Sequence, residues 1–80
     1  MWYIYIIECS DNTFYTGITT DINRRLLEHN SGKGAKYTRA RVPVVLKVFF
    51  TASNRSEASK EEYRIKKLTR NEKMKLWTEE

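Results

Sequence analysis

One cysteine, one proline, one histidine and three glycines are all that this 80-residue chain has of those types. With Cys9 alone, no disulfide can form within the chain, and a cysteine-based zinc centre lacks its ligands. Such a composition suits a reducing compartment, so a cytoplasmic location is expected. The N-terminus lacks the basic stretch and small-residue cleavage site of a signal peptide. Its apolar run, Trp2 to Ile7, is far too short to span a bilayer, and no membrane partner is expected. Gly32-Lys33-Gly34 lacks the spacer and the strand-to-helix setting of a phosphate-cradling P-loop. No repeat, linker or low-complexity tract divides the chain, so residues 1–80 are expected to form one domain with a thin core.

What the chain does have is positive charge. Fifteen Lys and Arg against ten Asp and Glu give +5. In so small a domain this points to a polyanionic partner, nucleic acid foremost. Charge alone does not decide it, because many small basic domains are merely soluble.

Trp2 to Glu8 is rich in β-branched and aromatic residues and predicts a strand. Cys9 to Asn12 is turn chemistry, and Thr13 to Thr19 predicts a second strand, so the chain opens with a hairpin. In an antiparallel pair the numbers of facing residues add to a constant. A two-residue turn at Asp11-Asn12 makes that sum odd and puts Tyr5 and Tyr15 on opposite faces. A three-residue loop, Ser10 to Asn12, makes it even and brings the two phenols together. A shared tyrosine site therefore requires a loop of odd length.

Thr20 or Asp21 can cap a helix running to about Asn30, with Ile22, Leu26 and Leu27 as its apolar side. Arg25 and His29 lie four apart on another face and are neighbours there. Ser31 to Gly34 ends the helix, and a basic segment follows to Arg41. Val44 to Phe50 is a continuous apolar run, which predicts a strand buried on both faces or nearly so. Asn54 or Ser56 can start a further helix, with Ala58, Ile65 and Leu68 as its buried line. Thr69 to Glu72 reads as a stop and a new start, followed by a short helix carrying Met74, Leu76 and Trp77. The order β-β-α-β-α-α predicts an α+β fold, a small three-stranded antiparallel sheet flanked by helices.

Several residues could carry chemistry, and each has a plainer reading. Glu61 and Glu62 border the buried stripe of their helix, where a carboxylate needs a cation, either Lys/Arg or a metal ion. The plain reading is an ion pair from Glu62 to Lys66, four residues on. His29, on a face with Arg24, Arg25 and Glu28, reads as a surface histidine. Tyr5 and Tyr15 are ordinary strand aromatics unless a cation makes one of them a base. Basic residues fall into two groups. Arg24, Arg25, Lys33, Lys36, Arg39 and Arg41 flank the Gly-Lys-Gly loop, and the other group lies on the last two helices. Both could track phosphates.

Taken in order, these pieces resemble the GIY-YIG nuclease superfamily, and specifically its small stand-alone bacterial branch, the YhbQ-like proteins. The resemblance covers nearly the whole chain. It rests on Tyr5, on Tyr15-Thr16-Gly17, on Arg25 and His29, on the run His29 to Arg39, and on the run Ala58 to Leu68. It implies the β-β-α-β-α(-α) fold and divalent-metal-dependent cutting of DNA, branched or damaged, in repair or recombination. The resemblance further implies Mg²⁺, with Mn²⁺ as substitute, held by Glu62 rather than Glu61. Tyr5 or Tyr15 would be the general base, Arg25 would stabilise phosphate charge, and His29 would position a tyrosine or share its proton. Gly17 would be structural, and Arg24, Lys33, Lys36, Arg39 and Arg41 would bind the nucleic acid.

The chain departs from the motif at Tyr3, where the name has glycine, and at Thr16, where it has isoleucine. Ile18 stands where many relatives carry lysine, and Asn71 is the one candidate for a late asparagine of the site. No appended DNA-binding domain is expected, so a partner protein could supply specificity. The competing expectation is a non-catalytic nucleic-acid-binding module using the same basic, tyrosine-rich face. A hairpin edge that binds another protein is a third.

Overall fold

The structure, a computed structural model, describes residues 1–78. Strands β1 (Trp2–Glu8) and β2 (Phe14–Thr19) form the opening hairpin, followed by helix α1 (Ile22–Asn30). A 3-10 turn (Lys36–Thr38) leads to strand β3 (Val45–Ala52), helix α2 (Arg55–Lys66) and helix α3 (Arg70–Met74). The sheet is antiparallel with order β2-β1-β3. The α+β arrangement is the one expected from the sequence.

The hairpin loop has the odd length that a shared tyrosine site requires. The Cys9 N–H donates to the Thr13 carbonyl at 2.8 Å, which leaves Ser10, Asp11 and Asn12 as the loop. Asn12 has φ 68°, a left-handed conformation that asparagine tolerates better than most residues. Tyr5 consequently faces Gly17 and Ile7 faces Tyr15, so the two tyrosines are diagonal neighbours on one face.

β3 differs from expectation. It lies at the edge of the sheet, and Val45 and Phe49 are 57% and 48% exposed. A continuous apolar run does not distinguish a central strand from an edge strand, and here the centre belongs to β1, whose Ile4 to Ile7 are all buried. The register slips between Ile6 and Ile7, leaving Lys47 as an extra residue whose ammonium pairs with Glu8 at 3.1 Å.

Alternation along β1 divides the core in two. Ile4 and Ile6 meet Ala58 and Ile65 of α2, with Phe14, Phe50, Leu76 and Trp77 around them. Each fully buried isoleucine contributes about 1.5–3 kcal/mol of apolar burial. On the other face Tyr5 and Ile7 meet Cys9, Val44, Leu26 of α1, and Tyr15. Burial raises the Cys9 thiol pKa, which leaves it an inert core residue.

The helices start where their caps are. Asp21 accepts from the Arg24 N–H at 3.0 Å and Asn54 from the Glu57 N–H at 2.9 Å. Thr69 and Glu72 form a reciprocal capping box at the head of α3. Two expectations for α1 fail together. Leu27 is 73% exposed, and His29, expected at the surface, is completely buried. The helix turns its Leu26–His29 side to the sheet, because His29 finds hydrogen-bond partners there that offset its desolvation. No helix among the described residues is long and apolar enough to cross a membrane.

Candidate active site

The buried histidine organises this face. Its Nε2 lies 2.8 Å from the Tyr5 hydroxyl, and its Nδ1 lies 2.8 Å from Thr38 Oγ1 in the 3-10 turn. The Thr38 hydroxyl donates to the Ala35 carbonyl at 3.0 Å. A hydroxyl has one proton, so Thr38 must accept from His29, and Nδ1 must carry the imidazole hydrogen. Nε2 is then a bare acceptor, and the Tyr5 hydroxyl donates to it. The proton positions of all three side chains follow from a single carbonyl.

The electrostatics agree with this assignment. Burial pushes the Tyr5 pKa up to about 12, against an opposing pull from the Arg25 guanidinium, and the charges of Tyr15 and Glu62 add to the rise. Burial lowers the His29 pKa, and Arg25 pushes the same way. Tyr5 is therefore a neutral donor and His29 a neutral acceptor at ordinary pH.

Two glycines make room. A Cβ on Gly17 would lie 2.5 Å from the Tyr5 hydroxyl oxygen, so only glycine lets that phenol rest on β2. A Cβ on Gly34 would lie 2.3 Å from His29 Nδ1, so the loop after α1 closes over the imidazole for the same reason.

Tyr15 stands in front of this buried group. Its ring centroid is 6.5 Å from that of Tyr5 and 5.6 Å from that of His29. It is partly exposed, and its hydroxyl has no hydrogen bond among the described residues. The ring of Tyr37 stacks on it at 5.9 Å and 20°, and the Lys66 ammonium lies 5.9 Å from its centroid.

Arg25 is one turn before His29, half-buried, and paired with Glu28 at 2.9 Å. Glu62 reaches the group from α2 and pairs with Lys66 at 3.1 Å, the plain reading of that helix made real. Its side chain is 22% exposed, against 40% for Glu61, which is tied to Arg64. Tyr5, Tyr15, Arg25, His29 and Glu62 thus gather at one end of the β2 edge, from two strands and two helices.

Among the described residues no three His, Cys, Asp or Glu side chains converge on one point. His29 is excluded as a ligand because both ring nitrogens are engaged. What remains is a single half-buried carboxylate already drawing a cation, Lys66. A lone hard oxygen donor of this kind fits Mg²⁺, which keeps waters and takes phosphate oxygens as its other ligands.

The basic residues divide. Lys33, Lys36 and Arg39 are exposed and make no ion pair among the described residues. Arg24 lies 3.9 Å from Glu28. Arg41 is a strut: it bonds Asp11 at 3.0 Å and the Tyr37 carbonyl at 2.6 Å, and lies over the Tyr37 ring. Asn71 sits exposed in the first turn of α3, and its side chain makes no hydrogen bond among the described residues. Sequence reasoning gave no role in the site to Thr38, Tyr37 or Gly34, although all three lie in the run His29 to Arg39 that carries the resemblance.

The GIY-YIG catalytic domain matches this chain over residues 1–76. A UPF0213 protein of Halobacterium salinarum is 54% identical over 77 residues, covering 96% of this chain and all of that one. One from Staphylococcus haemolyticus is 50% identical, covering 92% of this chain and 90% of its own. The solution NMR structure of a UPF0213 protein from Bacillus halodurans superposes with TM-score 0.59 at 48% identity, covering 95% of this chain and 82% of that one. A second solution NMR structure, of a protein from E. faecalis, gives 0.62 at 49% identity, covering 92% of this chain and 79% of that one.

Proposed function

The chain belongs to the GIY-YIG family, a superfamily of nucleases, and from that premise we propose that it hydrolyses the phosphodiester backbone of DNA with the help of a divalent metal ion. The observation that carries this reading is the gathering of Tyr15, Arg25 and Glu62 around a neutral, hydrogen-bonded Tyr5–His29 pair.

Water attacks phosphorus, and the bond from phosphorus to the 3′ oxygen breaks. Of the two motif tyrosines Tyr15 is the one at the surface, so in its phenolate form, which a neighbouring cation such as the Lys66 ammonium favours, it would meet the attacking water and take its proton. Tyr5 is 2% exposed and its proton is committed to His29, which makes it a positioning residue behind Tyr15. Arg25 offsets the charge that grows on the phosphate oxygens. Glu62 would hold Mg²⁺, or Mn²⁺ in its place, with waters and substrate completing the shell. Such an ion, when bound, supplies neutralisation of the leaving oxygen. Lys33, Lys36 and Arg39 guide the strand by phosphate contacts. Branched or damaged DNA, as met in repair, is the proposed substrate, with a partner protein supplying specificity.

The test incubates the full chain with branched, nicked and single-stranded DNA and Mg²⁺ or Mn²⁺. Cutting is expected, with loss of about 10²–10⁴-fold in Glu62→Ala and Tyr15→Phe, the range of a charge-stabilising or proton-accepting group. Cutting that persists in both variants overturns the mechanism. The Glu62–Lys66 pair supports a second reading, because it satisfies the carboxylate without metal. Metal-independent DNA binding that survives Glu62→Ala, with no cut product, would favour a binding module.

A further inference from the structure

α1 and α2 lie on opposite faces of the sheet, and both pass the free edge of β2. The tyrosines and Glu62 occupy one end of that edge. A separate cleft of about 270 Å³ occupies the other, lined by Trp2, Ile18, Arg24, Arg25, Glu28 and Arg55 with the end of β2. Three guanidinium groups face it against one carboxylate, and Glu28 is already shared between Arg24 and Arg25. Arg55, at the first turn of α2, has no acidic partner among the described residues, and its guanidinium lies 5.7 Å from the Trp2 ring. Like charges held this close are stabilised by an anion that enters between them.

Arg25 belongs to both places, which joins the cleft to the reaction site. Arg55 and Glu62 are seven residues apart on one helix, about 10 Å at the helical rise of 1.5 Å per residue. That is about three axial steps of a DNA strand at 3.4 Å each.

We propose that this cleft binds a backbone phosphate of the DNA strand flanking the bond that is cut, with Arg55 and Arg24 as its anion contacts and Trp2 as its wall. The proposal rests on DNA being the substrate, but concerns a site apart from the chemistry. It gives the enzyme a second grip on the strand at a fixed distance from the first.

The experiment measures binding of a short branched DNA to the full chain by fluorescence anisotropy, with metal chelated so that no cutting occurs. Arg55→Ala is expected to bind about tenfold more weakly, the size of one charge-assisted contact, and to reduce the slope of log K against log salt by about one. Replacing single flanking phosphates in turn by neutral methylphosphonates should find one position where wild type loses affinity and Arg55→Ala loses no more. Arg55→Lys should recover the salt slope. An unchanged slope in Arg55→Ala, or equal methylphosphonate losses in both proteins at every position, overturns the proposal. Inorganic phosphate should displace DNA from wild type and Arg55→Ala alike. Saturating competition that needs Arg55, with no methylphosphonate position that separates the two proteins, would assign the cleft to free phosphate and overturn it as well. Failure of the nuclease reading looks different: no product appears with metal although the salt slopes differ as expected.

Discussion

The two faces of the sheet are buried by different chemistry. Under α2, Ile4, Ile6, Ala58 and Ile65 exclude water with no polar side-chain atom among them. Under α1, Tyr5, His29 and Thr38 are buried as deeply, but each polar atom has a partner with a fixed donor and acceptor. The apolar face also carries the one buried side-chain polar atom without a partner among the described residues, the Thr16 hydroxyl. Thr16 faces Ile6 and so points into the isoleucine side. The family motif has isoleucine there. A stray hydroxyl is thus tolerated on the side that only packs, while the side proposed to work is fully satisfied. Apolar packing is forgiving of such a defect because it has no direction, whereas the polar chain fixes proton positions as well as atoms.

Substitutions can separate the faces. The largest effect on stability is expected from Ile65→Ala, a loss of about 2–5 kcal/mol by urea denaturation, with the cutting rate per folded molecule unchanged. Loss of cutting in protein that remains folded would mean that the faces are not independent. Thr38→Val comes next, at about 1–3 kcal/mol, because it strands the Nδ1–H of His29 without an acceptor. Thr38→Ser should recover most of this, and the imidazole ¹⁵N shifts of His29 should return to the Nδ1–H pattern with it. Unchanged shifts in Thr38→Val would refute the tautomer assignment. The same change on the other face, Thr16→Val, should have the opposite sign, a gain of up to about 1 kcal/mol. Two losses of equal size would erase the contrast.

The smallest effect is the pH dependence. Burial holds the His29 pKa below 6.5, so the unfolded chain takes up this proton first as pH falls. Stability should therefore decline as pH drops through about 6.5 and level off below the folded pKa. At the other extreme the Tyr5 pKa rises from 10.0 to about 12, so the unfolded chain loses its proton first and stability falls as pH climbs between those values. Chemical denaturation across pH, compared with His29→Gln and Tyr5→Phe, isolates the two slopes.

Much of this architecture could be read from the residues. The parity argument required an odd hairpin loop, and the Cys9–Thr13 bond closes one of three residues. Helix starts were legible at Thr20 or Asp21, at Asn54 or Ser56 and near Thr69 because capping is local chemistry, and the caps are Asp21, Asn54 and Thr69. Strand order is not local, which is why Val44 to Phe50 suggested a strand buried on both faces or nearly so and proved to be a half-exposed edge. The burial of His29 escaped for a related reason. Nothing in α1 distinguishes its Leu27 side from its His29 side until Tyr5, 24 residues earlier, and Thr38, nine later, supply hydrogen bonds. Glu62 was placed beside Lys66 by helical spacing alone, but its approach to Tyr5 depends on how α2 crosses the sheet.

The bonded series from Tyr5 through His29 and Thr38 ends on the Ala35 backbone carbonyl. An amide carbonyl does not take up a proton at physiological pH, so for protons this series is a blind alley with room for one guest. Anything His29 receives from Tyr5 must go back the way it came. Traffic with the solvent is left to the front of the site, where Tyr15, unlike Tyr5, is partly exposed.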